Sequence, residues 1–297
     1  MNVDLFDERD FEPDPPRPPR PPREPRRRRG GSGETMKRIV IVLPWIAFAI
    51  AITVAGGPIF ALAMIAIGIV CLREYVAMTH ESRPMAIPAY LAVAGLVVAA
   101  HFGTAFNVLM IVAASFPVMF FFAADSRRQP RDGAMTSIAV TLLGIVWIGL
   151  PLAHAVLLRD LPSHGAALLV DVLVGTFVTD TAAYATGRMF GSHRIAPEIS
   201  PNKTLEGLIG GLIIGTMGFW FAGLYQNWLS GTDALIIGAA VAATAPIGDL
   251  FESLLKRDLG TKDTGTLFGP HGGILDRLDA VLFTVVVGYY LSVALVY

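Results

Sequence analysis

Between Asp249 and Asp279 the chain reads D-L-F-E-S-L-L-K-R-D-L-G-T-K-D-T-G-T-L-F-G-P-H-G-G-I-L-D-R-L-D. Asp249, Glu252, Ser253 and Lys256 fall at i, i+3, i+4 and i+7, the spacing that puts side chains on one face of a helix. Asp276 and Asp279, three apart, share a face of the next helix, and a polar, glycine-rich loop joins the two. That loop holds Lys262, Asp263, Gly265, Gly269, His271, Gly272 and Gly273. If the helices are antiparallel neighbours, Asp249 and Asp276 face each other across a short gap. Converging carboxylates offer the oxygen ligands that Mg²⁺ takes beside phosphate groups, which makes Asp249, Glu252 and Asp276 the candidate metal ligands. Internal ion pairing of Asp276, Asp279 and Glu252 with Arg277, Lys256 and Arg257 is the competing reading. It accounts for the tolerance of the charges, but not for their excess or for the glycine-rich loop.

A second polar cluster runs from Asp180 to Glu206. Asp180, Tyr184 and Gly187 are spaced along one helical face, and Ser200-Pro201-Asn202-Lys203-Thr204 precedes another apolar segment. Hydroxyls, an ammonium group and the N–H groups of a helix start suit phosphate oxygens, although Ser-Pro-x-Lys-Thr also makes a good helix start by itself.

These clusters hang on apolar segments long enough to cross about 30 Å of hydrocarbon. Nine such segments are expected, at 38–55, 58–78, 86–101, 105–122, 134–157, 165–187, 205–227, 233–255 and 273–296. Glycines and prolines mark the joints, beginning with Gly56-Gly57-Pro58. Basic residues test the count, because they favour cytoplasmic loops. Arg73 and Arg83 flank the second loop, Arg127, Arg128 and Arg131 lie in the fourth, Arg188, Arg194 and Lys203 in the sixth, and Lys256, Arg257 and Lys262 in the eighth. Of the 23 lysines and arginines, Arg159 alone falls on the other side. The fold expected is therefore an all-α multi-pass membrane protein, with a cytoplasmic N-terminus, both polar clusters at the cytoplasmic face and the C-terminus outside.

Residues 1–35 stand apart. Pro13–Arg29 holds eight prolines and seven arginines, a composition that cannot bury a core and reads as a disordered cytoplasmic tail. The expected division is thus 1–35 and a transmembrane domain 36–297, with its catalytic portion at about 165–297. At 54% hydrophobic and 16% charged residues the whole is no ordinary soluble domain, and a net charge of −1 gives no reason to expect a nucleic-acid partner. The single cysteine, Cys71, excludes an intramolecular disulfide and a cysteine-built zinc site. Gly207, Gly211 and Gly215 recur every fourth residue and read as a close-packing face for a neighbouring helix or a second copy of the chain, so a homodimer is a candidate assembly.

Residues 253–279 closely resemble the signature of the phosphatidate cytidylyltransferase (CDP-diacylglycerol synthase) family, S-x-x-K-R, four residues, K-D, then H-G-G and D-R-x-D. Ser253, Lys256, Arg257, Lys262, Asp263, His271, Gly272, Gly273, Asp276, Arg277 and Asp279 all fall in place. The S-P-x-K-T-x-E-G run is similar to the same family's, and D-T-A-A-Y at Asp180 matches its preceding patch, with Ala182 where that pattern has glycine. The resemblance covers about residues 140–290. It implies transfer of a cytidylyl group from CTP to phosphatidate at the inner membrane. Lys256, Arg257, Asp276 and Asp279 would then be catalytic, and Ser200, Lys203, Thr204, Ser253, Lys262, Asp263, His271, Gly272, Gly273, Arg277, Asp180 and Tyr184 would bind substrate. Mg²⁺ would be the cofactor, with or without a monovalent cation. Two alternatives stay open: a CTP-dependent lipid kinase of the dolichol kinase type, and an ion-coupled transporter. The H-G-G-x-x-D-R-x-D pattern argues against the first, and the crowding of polar residues at one membrane face argues against the second.

Overall fold

The structure, a computed structural model, describes residues 47–124, 133–265 and 272–297. All belong to one compact unit, residues 46–297. The tail, the basic residues Arg127, Arg128 and Arg131, and His271 lie outside the described residues.

The first helix, α1, is described over 47–55 and stops where Gly56 and Gly57 both take positive φ, a backbone that glycine adopts without strain. Then follow α2 (Gly57–Met78), α3 (Ala86–Phe102), α4 (Ala105–Ala124), α5 (Ala134–Arg159), α6 (Gly165–Phe190), α7 (Leu205–Gly223), α8 (Gly231–Asp258) and α9 (Leu275–Leu295). Seven of these are long and apolar enough to cross a membrane, and α3 is a shorter apolar helix. The protein is thus an all-α multi-pass membrane protein; each expected segment from 58 onward has its helix, and half of the first, 38–46, lies outside the described residues. Helix α5 is the most buried of the seven and α4 the least, which puts α5 at the centre and α4 at the edge. Within α5, Ile145–Gly149 widens into a π-helical turn just before Pro151. Proline lacks the N–H that would bond back to Trp147, and the wider turn accommodates the gap.

The glycine stripe finds its partner inside the chain. A side chain at Gly207 or Gly211 would run into the backbone carbonyl of Ala183 or Thr179, so α6 and α7 touch nearly backbone to backbone. Between these two helices the sequence had suggested only a loop. The structure folds it into a two-stranded antiparallel hairpin, β1 (Arg194–Ala196) and β2 (Ser200–Thr204), in which Arg194 lies opposite Thr204 and Ala196 opposite Ser200. Glu206, in the first turn of α7, clasps it: its carboxylate accepts the Ser192 N–H at 3.0 Å and lies 2.7 Å from His193 Nδ1. Helices α8 and α9 lie side by side, with Gly248 seated against Asp279 and Ala280.

Candidate active site

The face of α8 forecast from the spacing exists, and its centre is Lys256. The Lys256 Nζ donates to Glu252 Oε2 and to Asp276 Oδ1, both at 2.8 Å. All three side chains are nearly closed off: Lys256 is 13% exposed, Glu252 1% and Asp276 9%. The second oxygen of Asp276 accepts the Gly273 N–H at 2.7 Å, the Thr264 N–H at 3.0 Å and the Thr264 hydroxyl at 2.9 Å. Gly272 has φ +80°, and a methyl group there would strike Asp276 Oδ2, so this cradle requires glycine. Glu252 is less well served. Its Oε1 is buried with no hydrogen-bond donor among the described residues, and the Asp279 carboxyl group lies near it.

The second cluster meets the first at Asp249. Lys203, on β2, places its Nζ 2.9 Å from Asp249 Oδ2, and Asp249 Oδ1 accepts from the Ser253 hydroxyl at 3.3 Å. This pair is more open, with Lys203 22% and Asp249 40% exposed. Asp180, on α6, lies within electrostatic reach of Lys203, Asp249 and Asp279. Arg257 Nε donates to the Ile199 carbonyl at 3.2 Å and ties the hairpin to α8. Two motifs about fifty residues apart in sequence therefore form one site.

Other residues singled out from the sequence surround it. Ser200 is half-buried on β2, and Lys262, Asp263, Arg257 and Arg277 are exposed. Tyr184 is also exposed, its hydroxyl accepting from Arg188 at 2.8 Å. Thr204 uses its hydroxyl to accept the Gly207 N–H at 3.2 Å, so it caps α7. Two residues were not foreseen. Thr264 supplies two of the Asp276 contacts, and Glu74 reaches the same loop from α2. Glu74 Oε1 accepts the Ile274 N–H at 3.1 Å and Oε2 the Leu275 N–H at 2.9 Å. A carboxylate inside an apolar helix was the signal that could have found it.

The model of the Cytidylyltransferase family matches residues 36–295. The chain belongs to that family. Among curated relatives, a phosphatidate cytidylyltransferase of Haemophilus influenzae is 42% identical over 125 residues, covering 40% of this chain and 43% of that one. One from Mycobacterium leprae is 34% identical over 160 residues, 54% of this chain and 51% of the relative. One from Synechocystis sp. is 30% identical over 295 residues, 87% of this chain and 97% of the relative. The chain thus matches about half the length of the first two relatives and nearly all of the third.

So many carboxylates in one place bring in the question of a metal. Among the described residues no three His, Cys, Asp or Glu side chains gather at metal-binding distance. Lys256 stands between Glu252 and Asp276, and Lys203 holds Asp249, so every carboxylate of the expected ligand set is paired with an ammonium group. The donor chemistry nevertheless fits Mg²⁺. Asp180, Asp249, Glu252, Asp276 and Asp279 supply oxygen donors and outnumber Lys203 and Lys256, and Glu252 Oε1 has no hydrogen-bond donor among the described residues.

Proposed function

We propose that this protein transfers the cytidylyl group of CTP to phosphatidate, yielding CDP-diacylglycerol and pyrophosphate. The observation that carries this reading is the junction of the two motifs at Asp249, which lines up Lys203 and Lys256 with acidic partners at the ends of α8 and α9 and beside the hairpin. A transporter site would sit nearer the middle of its helices.

An oxygen of the lipid phosphate attacks the α-phosphorus of CTP, a new P–O bond forms, and the bond to the β-phosphate breaks with its electron pair leaving on pyrophosphate. A phosphomonoester is itself a nucleophile near neutral pH, so no side-chain nucleophile is required. The chain's task is to hold the phosphates and neutralise their charge. Lys203 is the cation that can turn from its acidic partner to a phosphate, and Arg257, Lys262 and Arg277 are exposed further cations in the Asp249–Asp279 stretch. Lys256, gripped on two sides, is a fixed positive point. Mg²⁺ would be held by Asp249, Glu252 and Asp279, which accept fewer backbone N–H groups than Asp276 does, and would supply charge neutralisation to the phosphates.

The test is purified protein with phosphatidate and labelled CTP. CDP-diacylglycerol and pyrophosphate are expected together, and neither in the presence of a chelator. Asp276→Asn removes the charge that anchors Lys256 and should lower the rate about 100-fold or more, each ~1.4 kcal/mol of lost transition-state stabilisation being tenfold. Wild-type protein that forms neither product would remove the reading. We also place the site at the cytoplasmic face of the plasma membrane, supported by the alternation of basic loops. In a variant lacking Cys71, a cysteine at the exposed Ser192 should react from the cytoplasmic side and one at the exposed Ser163 from outside; labelling of both from one side would overturn that orientation.

A further inference from the structure

The first turn of α9 carries Asp276, yet no side chain of its own caps it: Ile274, at the N-cap position, makes no side-chain hydrogen bond to the turn. The opening N–H groups of a helix need acceptors from elsewhere. Here the acceptor comes from α2, about 200 residues earlier in the chain. Glu74, 8% exposed, takes the Ile274 and Leu275 N–H groups on its two oxygens, where a carboxylate also complements the helix dipole. Its Oε2 lies 3.4 Å from the Thr264 hydroxyl, which is 2.9 Å from Asp276 Oδ2. One hydroxyl proton serves one acceptor at a time, and the shorter contact assigns it to Asp276. Gly265 and Gly273 lie against the Glu74 carboxyl group so closely that a methyl group on either would collide with it. The Gly273 N–H in turn donates to Asp276.

We propose that Glu74 is a positioning residue for the transfer site. It fixes the start of α9 and the Thr264–Gly265 and Gly272–Gly273 backbone, which together hold Asp276 against Lys256. The inference rests on the reading of Asp276 and Lys256 as parts of that site. It gives the N-terminal half of the molecule a share in the chemistry. A carboxylate buried beneath a helix start is costly to place unless donors meet it, and those donors are the same backbone that presents Asp276.

The experiment compares wild type with Glu74→Gln, which keeps the shape but offers the two N–H groups one acceptor oxygen in place of two. The expected result is a fall in kcat of about tenfold or more with the KM for CTP little changed, because an interaction that shapes only the transition state acts on kcat. Hydrogen exchange should quicken at the Ile274 and Leu275 amides, with α6 and α7 unchanged. The double variant Glu74→Gln/Asp276→Asn should be no slower than Asp276→Asn alone, since residues acting as one unit do not add. Gly265→Ala, which displaces the Glu74 carboxylate without removing it, should reproduce the kcat loss and serves where Glu74→Gln does not fold. Additive losses, or unchanged kcat and unchanged exchange, would overturn the proposal. If wild-type protein made no CDP-diacylglycerol, the functional reading would fall, and the exchange measurement alone would still decide whether Glu74 holds α9.

Discussion

Two lysines, Lys256 and Lys203, stand at nearly the same distance from their carboxylates, 2.8 Å in one case and 2.9 Å in the other. Their surroundings differ. Lys256 lies between two carboxylates that are 1% and 9% exposed, whereas the partner of Lys203 is 40% exposed. Distance alone would call them equivalent, and burial separates them. A buried ion pair cannot lose one member without stranding the other in a medium that solvates it poorly. A half-open pair can exchange its carboxylate for a phosphate at little cost, because water already screens much of the attraction. Under the proposed function, the first lysine is therefore part of the frame and the second part of the grip.

This contrast can be broken by experiment. Lys256→Met leaves Glu252 and Asp276 unpaired and should destabilise the protein by about 3–5 kcal/mol, seen as a lower midpoint of unfolding in detergent, along with loss of transfer. Lys203→Met should change stability by less than about 1 kcal/mol. Its effect should instead be a rise in the KM for CTP of about tenfold, the loss of one charged contact to a phosphate. Equal destabilisation by the two substitutions would show that burial does not distinguish them.

Much of this was legible in the sequence, and the reasons are physical. A membrane span needs an apolar length that composition reveals directly, so the helices fall close to their expected places; α8 begins at Gly231 and α9 at Leu275, each within two residues of the forecast. The one-faced spacing of Asp249, Glu252, Ser253 and Lys256 was equally readable, since helix geometry alone fixes it. What escaped depends on contacts between distant parts of the chain. Pairing of Arg194 with Thr204 joins short polar stretches that have no hydrophobic period. Thr204 offers the same hydroxyl whether it caps a helix or binds a phosphate, and only the Gly207 contact decides its use here. Glu74 was hidden among apolar neighbours because its partners are backbone N–H groups, which leave no mark on side-chain patterns.

The reach of Glu74 also bears on how the protein is made. Its N–H partner at Leu275 is 201 residues downstream, which at ordinary synthesis rates is roughly 10–40 s of elongation. During that interval α2 exists as a nascent membrane helix bearing a carboxylate whose donors have not yet been synthesised. Its place near the end of α2, one turn before Met78, keeps the group within reach of interfacial water while it waits. The arrival of α9 then supplies those donors, so a helix made late locks one made early into place.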